Sequence, residues 1–403
     1  MTLFQRERLQ KAIDRAFVVH PAVTLAGPRQ CGKTTLARMV AQAAQTAQTA
    51  KRAKQPPAPA PGFAFFDLEK ATDRQQLSAP EQALAPLRGL VVIDEIQRQP
   101  QLFETLRVLL DRPGAPARFL LTGSASPELI RGVSESLAGR SATIDIGGFT
   151  MDETGPQSWP ALWQRGGFPR SFLAPDEESS FLWRDEFARS FLERDIPQFG
   201  IQVPAETLRR FWTMIAHYHG QVWNGAEFAR SLGSSESTAR RYLDILAGAY
   251  MVRVLPPWFE NIGKRQMKSP KIYVRDPGLL HALLGLRDRG ALLGHPKLGA
   301  SWEGFALEQI LGHLRTRDAY FWATQGGAEL DLLVMINGRR HGFEFKHADA
   351  PSRTKSMHVA LSDLALEHLW VVYPGGERYG LDTRITAVPA CEIPMLANDI
   401  LRK

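Results

Sequence analysis

Residues 22–42 read AVTLAGPRQCGKTTLARMVAQ. Ala22–Leu25 is a short apolar strand, Gly27–Gly32 a turn, and Thr34–Gln42 a segment of helical composition. Inside this stretch GPRQCGKTT, Gly27 to Thr35, keeps the spacing G-x-x-x-x-G-K-[ST] in the strand–turn–helix setting that the pattern requires. The physics is that of an anion cradle. Gly27 and Gly32 let the backbone curl without Cβ clashes, and the loop amides and helix N-terminus then point at bound phosphates. Gly27, Pro28, Arg29, Gln30, Cys31, Gly32, Lys33, Thr34 and Thr35 are the expected phosphate loop, with ATP and Mg²⁺ as cofactors. Lys33 would reach the β- and γ-phosphate oxygens, and Thr34 would offer its hydroxyl to Mg²⁺. Cys31 reads as a small loop residue, because the grip there uses backbone amides.

Further along, Leu90-Val91-Val92-Ile93-Asp94-Glu95 is an apolar strand ending in two acids. In open α/β sheets ligands bind beyond the C-terminal ends of the strands. Asp94 is expected to hold the Mg²⁺ shell, and Glu95 to orient and polarise the attacking water. Taken alone, the pair reads equally as an acidic helix cap; the phosphate loop upstream decides against that. Leu120-Leu121-Thr122-Gly123-Ser124 is another strand tip. Ser124 or Thr122 would hydrogen-bond the γ-phosphate or the water, unless this is an ordinary strand exit. Arg140, in Ala138-Gly139-Arg140, is either an arginine finger acting across a subunit interface or a solvated surface arginine.

The rest of the composition bounds the class. At 403 residues, 44% hydrophobic and 23% charged, the chain reads as a soluble protein of two to four domains. No apolar run approaches the about 20 residues of a membrane span, and Met1–Ala16 lacks a signal-peptide core. A cytoplasmic protein with no membrane partner is expected. Two cysteines, Cys31 and Cys391, exclude a disulfide framework and a four-cysteine zinc site. A net charge of +7 suits a polyanionic partner or simply a basic surface. Residues 41–62, AQAAQTAQTAKRAKQPPAPAPG, form a low-complexity tract expected to be a mobile surface insertion without a site.

Several segments outside the loop support a resemblance. GPRQCGKTTL, VVIDEIQRQP, LLTGS, LAGR, GGFPR, FLERDIPQ, KSPKIYVRDPGLL and AELDLLV…FEFK occur in the order found in a family of prokaryotic AAA-type ATPases with a C-terminal domain of unknown function. The resemblance spans about residues 17–350, and the tract at 41–62 is longer than usual for that family. It implies an AAA+ core, a winged-helix segment and a fold similar to restriction endonucleases. The expected fold class is therefore α/β: a P-loop AAA+ core with a parallel sheet at 1–150, a helical connector at 151–205, a winged-helix-like domain at 206–275, and a restriction-endonuclease-like α/β domain at 276–403.

In the middle segment, Asn224–Gly233 reads as a capped helix ending at glycine, and a second helix begins at Ser234-Ser235. Ala239, Leu243 and Leu246 make its apolar face, leaving Ser237, Arg240, Arg241 and Asp244 on the other. This is the helix-turn-helix pattern. Ser237, Arg240 and Arg241 are candidate nucleic-acid contacts. Tyr250–Tyr273 could form a wing whose Lys264, Arg265, Lys268 and Lys271 meet phosphates. The alternative is a protein-packing module.

Near the C-terminus, Glu303 lies in a helix expected over Trp302–Leu314, Asp331 in the strand Leu330–Ile336, and Glu344 and Lys346 on one face of Gly342–Lys346. Two carboxylates can hold a divalent metal, and a nearby lysine can stabilise developing phosphate charge. This resembles the PD-(D/E)xK nuclease core, with Glu303 as helix-borne acid. An amphipathic strand with a solvated edge is the competing reading. Three functions follow: an ATP hydrolase driving or switching a module that binds nucleic acid or protein, an ATP-gated metal-dependent DNA nuclease, or a slow-turnover ATP switch. Oligomerisation would run through Arg140.

Overall fold

The computed structural model describes residues 4–52, 63–114, 117–124, 132–259 and 269–402. These residues fold as two compact units, Met1–Gly147 and Gly148–Lys403.

The first unit is built on short, almost wholly apolar runs. Ala22–Gly27 (β1), Ala64–Asp67 (β2), Gly89–Asp94 (β3), Ala117–Ser124 (β4) and Ser141–Asp145 (β5) form a five-stranded sheet in the order β2-β3-β4-β1-β5, with every pair parallel. β1 is buried along its whole length and β3 in all but its first residue, as a parallel sheet covered on both faces requires. Helix α1 (Glu7–Val19) buries Leu9, Ile13 and Phe17, four residues apart on one stripe. Helix α2 (Lys33–Arg52) begins inside the glycine loop, and α3 (Leu102–Leu110) follows β3. The Ala/Gln half of the expected insertion continues α2 to Arg52, in keeping with the helix propensity of Ala and Gln. Its Pro/Ala half, 53–62, lies outside the described residues.

The second unit holds together what the sequence suggested as three domains. Its helical part includes α4 (Trp159–Arg165) and α5 (Glu177–Ser190), the latter capped by Asp176, whose carboxylate accepts from the Ser179 amide. Then come α6 (Ala205–His217), β6 (Gln221–Val222), α7 (Gly225–Leu232), α8 (Glu236–Gly248), β7 (Val252–Leu255) and β8 (Lys271–Val274). Asn224 caps α7, Gly233 turns the chain at φ +63°, and Ser235 caps α8. Ala239, Leu243 and Leu246 are buried as their spacing requires. The three strands form a sheet in the order β6-β8-β7 with antiparallel pairing, completing a winged-helix arrangement.

After α9 (Pro277–Leu283) and the long α10 (Leu298–Leu314) comes a mixed sheet of six strands in the order β13-β14-β12-β11-β10-β9. The strands are β9 (Ala319–Ala323), β10 (Glu329–Ile336), β11 (Arg339–Phe345), β12 (His368–Tyr373), β13 (Tyr379–Asp382) and β14 (Ile385–Pro389). Helices α11 (Lys355–Asp363) and α12 (Ile393–Arg402) complete the layer structure. The β9–β10 register slips between Leu330 and Leu333. Both leucines, three apart, consequently enter one core with Met357, Ala360 and Leu361 of α11, although a regular strand would send them to opposite faces.

A half-buried ion triad ties the winged-helix strands to α10. Glu308 accepts from Arg253 through Nε and through Nη2 at 2.9 Å, and from Arg275 Nε at 3.4 Å. Burial alone would raise the Glu308 pKa, but the two guanidiniums bring it down to about 2 from an ordinary 4.5. A carboxyl depressed in the folded state stabilises fully above its unfolded value and loses that contribution as pH falls through the folded one. Glu308→Gln should lower stability near neutral pH by about 2 kcal/mol. In thermal unfolding, the gap between wild type and variant should narrow as pH falls from 4.5 toward 2. A gap independent of pH would remove the triad from this role.

Candidate functional site

The parallel order brings three strand tips side by side. β4 lies between β1 and β3, with Ile93 paired to Leu121 and Leu25 to Thr122. The tips of β1, β4 and β3 therefore carry the glycine loop, Thr122 and Asp94 at one end of the sheet. In the loop, Gln30 (φ +62°) and Gly32 (φ +95°) adopt left-handed backbone, the alternation that turns successive amides toward an anion. Gly27 has a second reason to be glycine: a Cβ there would lie 2.0 Å from the Ile146 carbonyl oxygen. The Lys33 ammonium is buried and donates to the carbonyls of Gly27 at 3.0 Å and Pro28 at 2.7 Å. It thus folds back over the loop it serves. Thr34 is half-buried and Thr35 exposed.

Asp94 is 2% exposed. Its Oδ1 accepts from the Thr122 hydroxyl, and the Thr34 hydroxyl also hydrogen-bonds to the carboxylate. Burial raises its pKa, the two hydroxyls oppose that, and the charges of Glu95 and Asp67 push it further up. A buried carboxylate offered hydroxyls but crowded by acids is a good seat for a cation. Thr34 and Asp94 thus fit the Mg²⁺ of a nucleotide complex. Glu95 sits at φ +56°, ψ +46°, an uncommon conformation for a non-glycine residue that is often found at functional sites. Its amide approaches Thr122 Oγ1 at 3.4 Å, and its Oε2 accepts from Gln97 Nε2 at 2.5 Å.

Sequence reasoning offered Thr122 as a possible phosphate contact; it is fully buried and donates its hydroxyl hydrogen bond to Asp94 instead. Ser124 pairs in register with Gly27, so its backbone lies level with the loop, while its side chain lies outside the described residues. Arg140 is at the other end of the sheet. Its carbonyl accepts from the Ala22 amide at the start of β1, about a strand's length, roughly 17 Å, from the loop. Its guanidinium grips Asp111 through Nε at 2.6 Å and Nη2 at 2.7 Å. The fold therefore does not bring Arg140 to this chain's own loop. Three residues went unnoticed in the sequence. Gln97 orients Glu95, and Asp67 pairs in register with Asp94. Buried Arg6 donates to the carbonyls of Cys31 at 3.0 Å and Gly147 at 3.2 Å, bracing the back of the loop. The acid following three apolar residues in Ala64–Asp67 was a usable signal for Asp67; Arg6 had none.

On α8, Ser237, Arg240 and Arg241 are exposed. Arg240 Nε contacts Asp244 Oδ1 at 3.0 Å, and Ser237 Oγ meets Ser235 Oγ at 2.8 Å. Lys264, Arg265 and Lys268 lie outside the described residues. Lys271 corrects the expected wing of phosphate contacts, since it is buried among acids of the C-terminal domain.

Those acids converge, but around an ammonium. Lys271 Nζ lies 3.4 Å from Glu303 Oε1 and 3.8 Å from Asp331 Oδ1, and it donates to Glu329 Oε1. Tyr273 donates to Glu303 Oε1 at 2.6 Å, the Phe345 amide donates to Asp331 Oδ2 at 2.9 Å, and Lys346 Nζ meets Glu344 Oε2 at 2.8 Å. Glu344 is buried, not on a solvated edge. Burial, then the neighbouring Asp331 charge, raises the pKa of both Glu303 and Glu344. Burial would lower that of Lys271, but Glu303, Asp331 and Glu329 carry it well above the usual lysine value. Among the described residues no group of three or more His, Cys, Asp or Glu side chains is arranged to hold a metal ion. The expected set of Glu303, Asp331 and Glu344 is thus corrected: the acids lie beside Lys271 and Lys346 and are not arranged as a metal site.

A parallel sheet of this order, a glycine loop and an acid pair define an ATP-binding AAA-type protein of the P-loop class. Residues 19–155 match a family described as AAA domain, residues 156–290 a domain of unknown function (DUF8612), and residues 298–393 a domain of unknown function (DUF4143). The chain is 52% identical over 386 residues to the uncharacterized proteins Rv2008c of Mycobacterium tuberculosis and Mb2031c of Mycobacterium bovis, covering 96% of this chain and 83% of each relative. It belongs to their family, the AAA-domain proteins with a C-terminal DUF4143 domain. Among solved structures, the Walker-type ATPase PABY2304 of Pyrococcus abyssi is 13% identical, spans 70% of this chain and 96% of its own, and superposes with a TM-score of 0.44. No described helix is long and apolar enough to cross a membrane.

Thr122→Val is nearly isosteric and leaves the Asp94 carboxylate without one donor. It should weaken Mg²⁺-dependent ATP binding about tenfold, or about 1.4 kcal/mol, while Thr122→Ser stays near wild type. Titration of a fluorescent ATP analogue with and without Mg²⁺ measures both; equal binding by all three proteins would separate Thr122 from metal binding.

Proposed function

We propose that the chain hydrolyses Mg²⁺-ATP and uses the cycle to drive or switch the second unit, acting as a nucleic-acid-binding module. The observation that carries the reading is buried Asp94, engaged by the hydroxyls of Thr34 and Thr122 and followed by Glu95 in left-handed backbone. Lys33 would leave the Gly27 and Pro28 carbonyls for the β- and γ-phosphate oxygens, helped by the loop amides. Thr34 and Asp94 would hold Mg²⁺, which when bound neutralises charge on those phosphates. Glu95, oriented by Gln97, would accept a proton from water as the water oxygen attacks the γ-phosphorus. The bond to the β-phosphate oxygen then breaks, and ADP leaves with the bonding pair. Arg140 is read as contributing only to a neighbouring copy, because it stands far from this chain's own loop.

For the second unit, the exposed Ser237, Arg240 and Arg241 on a helix-turn-helix, with the +7 net charge, favour DNA as the partner. Nuclease activity is not favoured, because the acids it would need are engaged by Lys271 and Lys346.

Two variants test the ATPase reading. Lys33→Ala should weaken ATP binding at least tenfold, about 1.4 kcal/mol. Glu95→Gln should keep ATP affinity and lower turnover by about 10²–10⁴. Turnover by Glu95→Gln at the wild-type rate would exclude Glu95 as base, and negligible turnover by wild type with or without DNA would leave a slow switch. For DNA, the Arg240→Ala/Arg241→Ala double variant should lower affinity and reduce the log–log salt slope by about two units, one per lost phosphate contact. An unchanged slope would move α8 to a protein interface.

A further inference from the structure

The resemblance to the PD-(D/E)xK core calls for one lysine, Lys346, beside the acids; the structure supplies a second from a different sheet. Lys271 stands at the start of β8, the middle strand of the winged-helix sheet, where it pairs with Leu255 of β7 and Val222 of β6. Its backbone is thus held on both sides. The side chain is 4% exposed and crosses to the acids of α10 and β10. The Phe321 ring of β9 lies 5.6 Å from its ammonium, a further site of cation attraction. Tyr273, two residues on and so on the same strand face, donates to the same Glu303 carboxylate at 2.6 Å. One face of β8 is therefore built to meet the cluster with a cation and a donor.

We propose that Lys271 is the resident cation of the C-terminal acidic cluster, latching the winged helix to the C-terminal sheet and keeping divalent metal out. Mg²⁺ needs its carboxylate oxygens at about 2.0–2.1 Å. An ion so placed between Glu303 and Asp331 would lie within a few ångströms of the ammonium, where like charges repel strongly in a low-dielectric site. Glu344, the remaining acid of the expected set, is engaged by Lys346. Metal and lysine thus compete for the same carboxylates. The reading concerns the second unit alone and stands or falls independently of ATP hydrolysis.

The test is Mn²⁺ binding by the full chain without nucleotide, read from the loss of the free-ion electron paramagnetic resonance signal. Wild type and Asp331→Asn should bind Mn²⁺ alike, because the cluster contributes no site. Lys271→Met should gain one equivalent, at least tenfold tighter than any binding of wild type at the cluster, and adding Asp331→Asn should abolish it. If Lys271→Met fails to fold, Lys271→Met/Glu329→Gln, which removes one charge of each sign, takes its place. A wild-type Mn²⁺ equivalent that Asp331→Asn removes overturns the proposal. So does a folded Lys271 variant that gains none. Hydrogen exchange reads the latch: amides of β8 and α10 should exchange faster in the Lys271 variant, and unchanged protection would show that the lysine does not hold the two together.

Discussion

A carboxylate taken out of water needs a positive charge or several donors beside it, because its desolvation otherwise costs several kcal/mol. The two units meet that constraint in opposite ways. Asp94 is given hydroxyls, from Thr34 and Thr122, and acidic neighbours, Glu95 and Asp67. That environment leaves the charge under-compensated and suits a cation that arrives with a ligand. The cluster of Glu303, Glu329 and Asp331 is given Lys271, a cation that is covalently part of the chain and cannot leave. One site is organised for exchange, the other for permanence.

Strand order explains why the first site can be so compact. Had β3 followed β1 directly in the sheet, Asp94 would adjoin the loop with no intervening hydroxyl. With β4 inserted between them, Thr122 stands at the tip of the intervening strand and bridges to Asp94. Thr34, at the start of α2, reaches the same carboxylate from the loop side. Arg6 and the Ile146 carbonyl close in on the loop from behind. The loop is therefore shaped by neutral and cationic contacts on its inner side.

Much of this was legible in the sequence, because it depends on local patterns. The glycine spacing, the apolar runs ending in acids, and the period of Ala239, Leu243 and Leu246 each encode structure over a few residues. Helices α7 and α8 fall where Asn224, Gly233 and Ser235 indicate, since caps act within one turn. Contacts between distant segments were not legible. Nothing near Lys271 in the chain distinguishes it from Lys264 or Lys268; only the pairing of β8 with β6 and β7, and the approach of α10, make it a buried ion. Arg6 lies 25 residues before its partner Cys31 and 141 before Gly147. Arg140 looked like a finger because its Gly-Arg setting is local, whereas its place at the far end of the sheet follows from β5 pairing beside β1.

The same distinction bears on the family motifs outside the first unit. The segment GGFPR meets the segment VRDPGLL at Asp276, whose carboxylate accepts from the amides of Gly167 at 2.8 Å and Leu279 at 2.9 Å. At Gly166, φ is +78° and a Cβ would sit 2.1 Å from Asp276 Oδ1, so the approach excludes any side chain. Buried Arg184 completes the junction, donating to the carbonyls of Gln164 at 3.1 Å and Gly278 at 3.0 Å. Burial raises the Asp276 pKa to about 6 and lowers that of Arg184 to about 10. In another setting such shifts would suggest catalysis. Here the carboxylate accepts from backbone amides, and the buried guanidinium donates to backbone carbonyls and lies 5.6 Å from the Phe181 ring. Motif and perturbed pKa together thus mark a packing joint between α4, α5 and α9. What separates it from the Asp94 site is the kind of donor: Asp94 takes side-chain hydroxyls beside the glycine loop, while Asp276 accepts from backbone amides that pin two segments of the chain together.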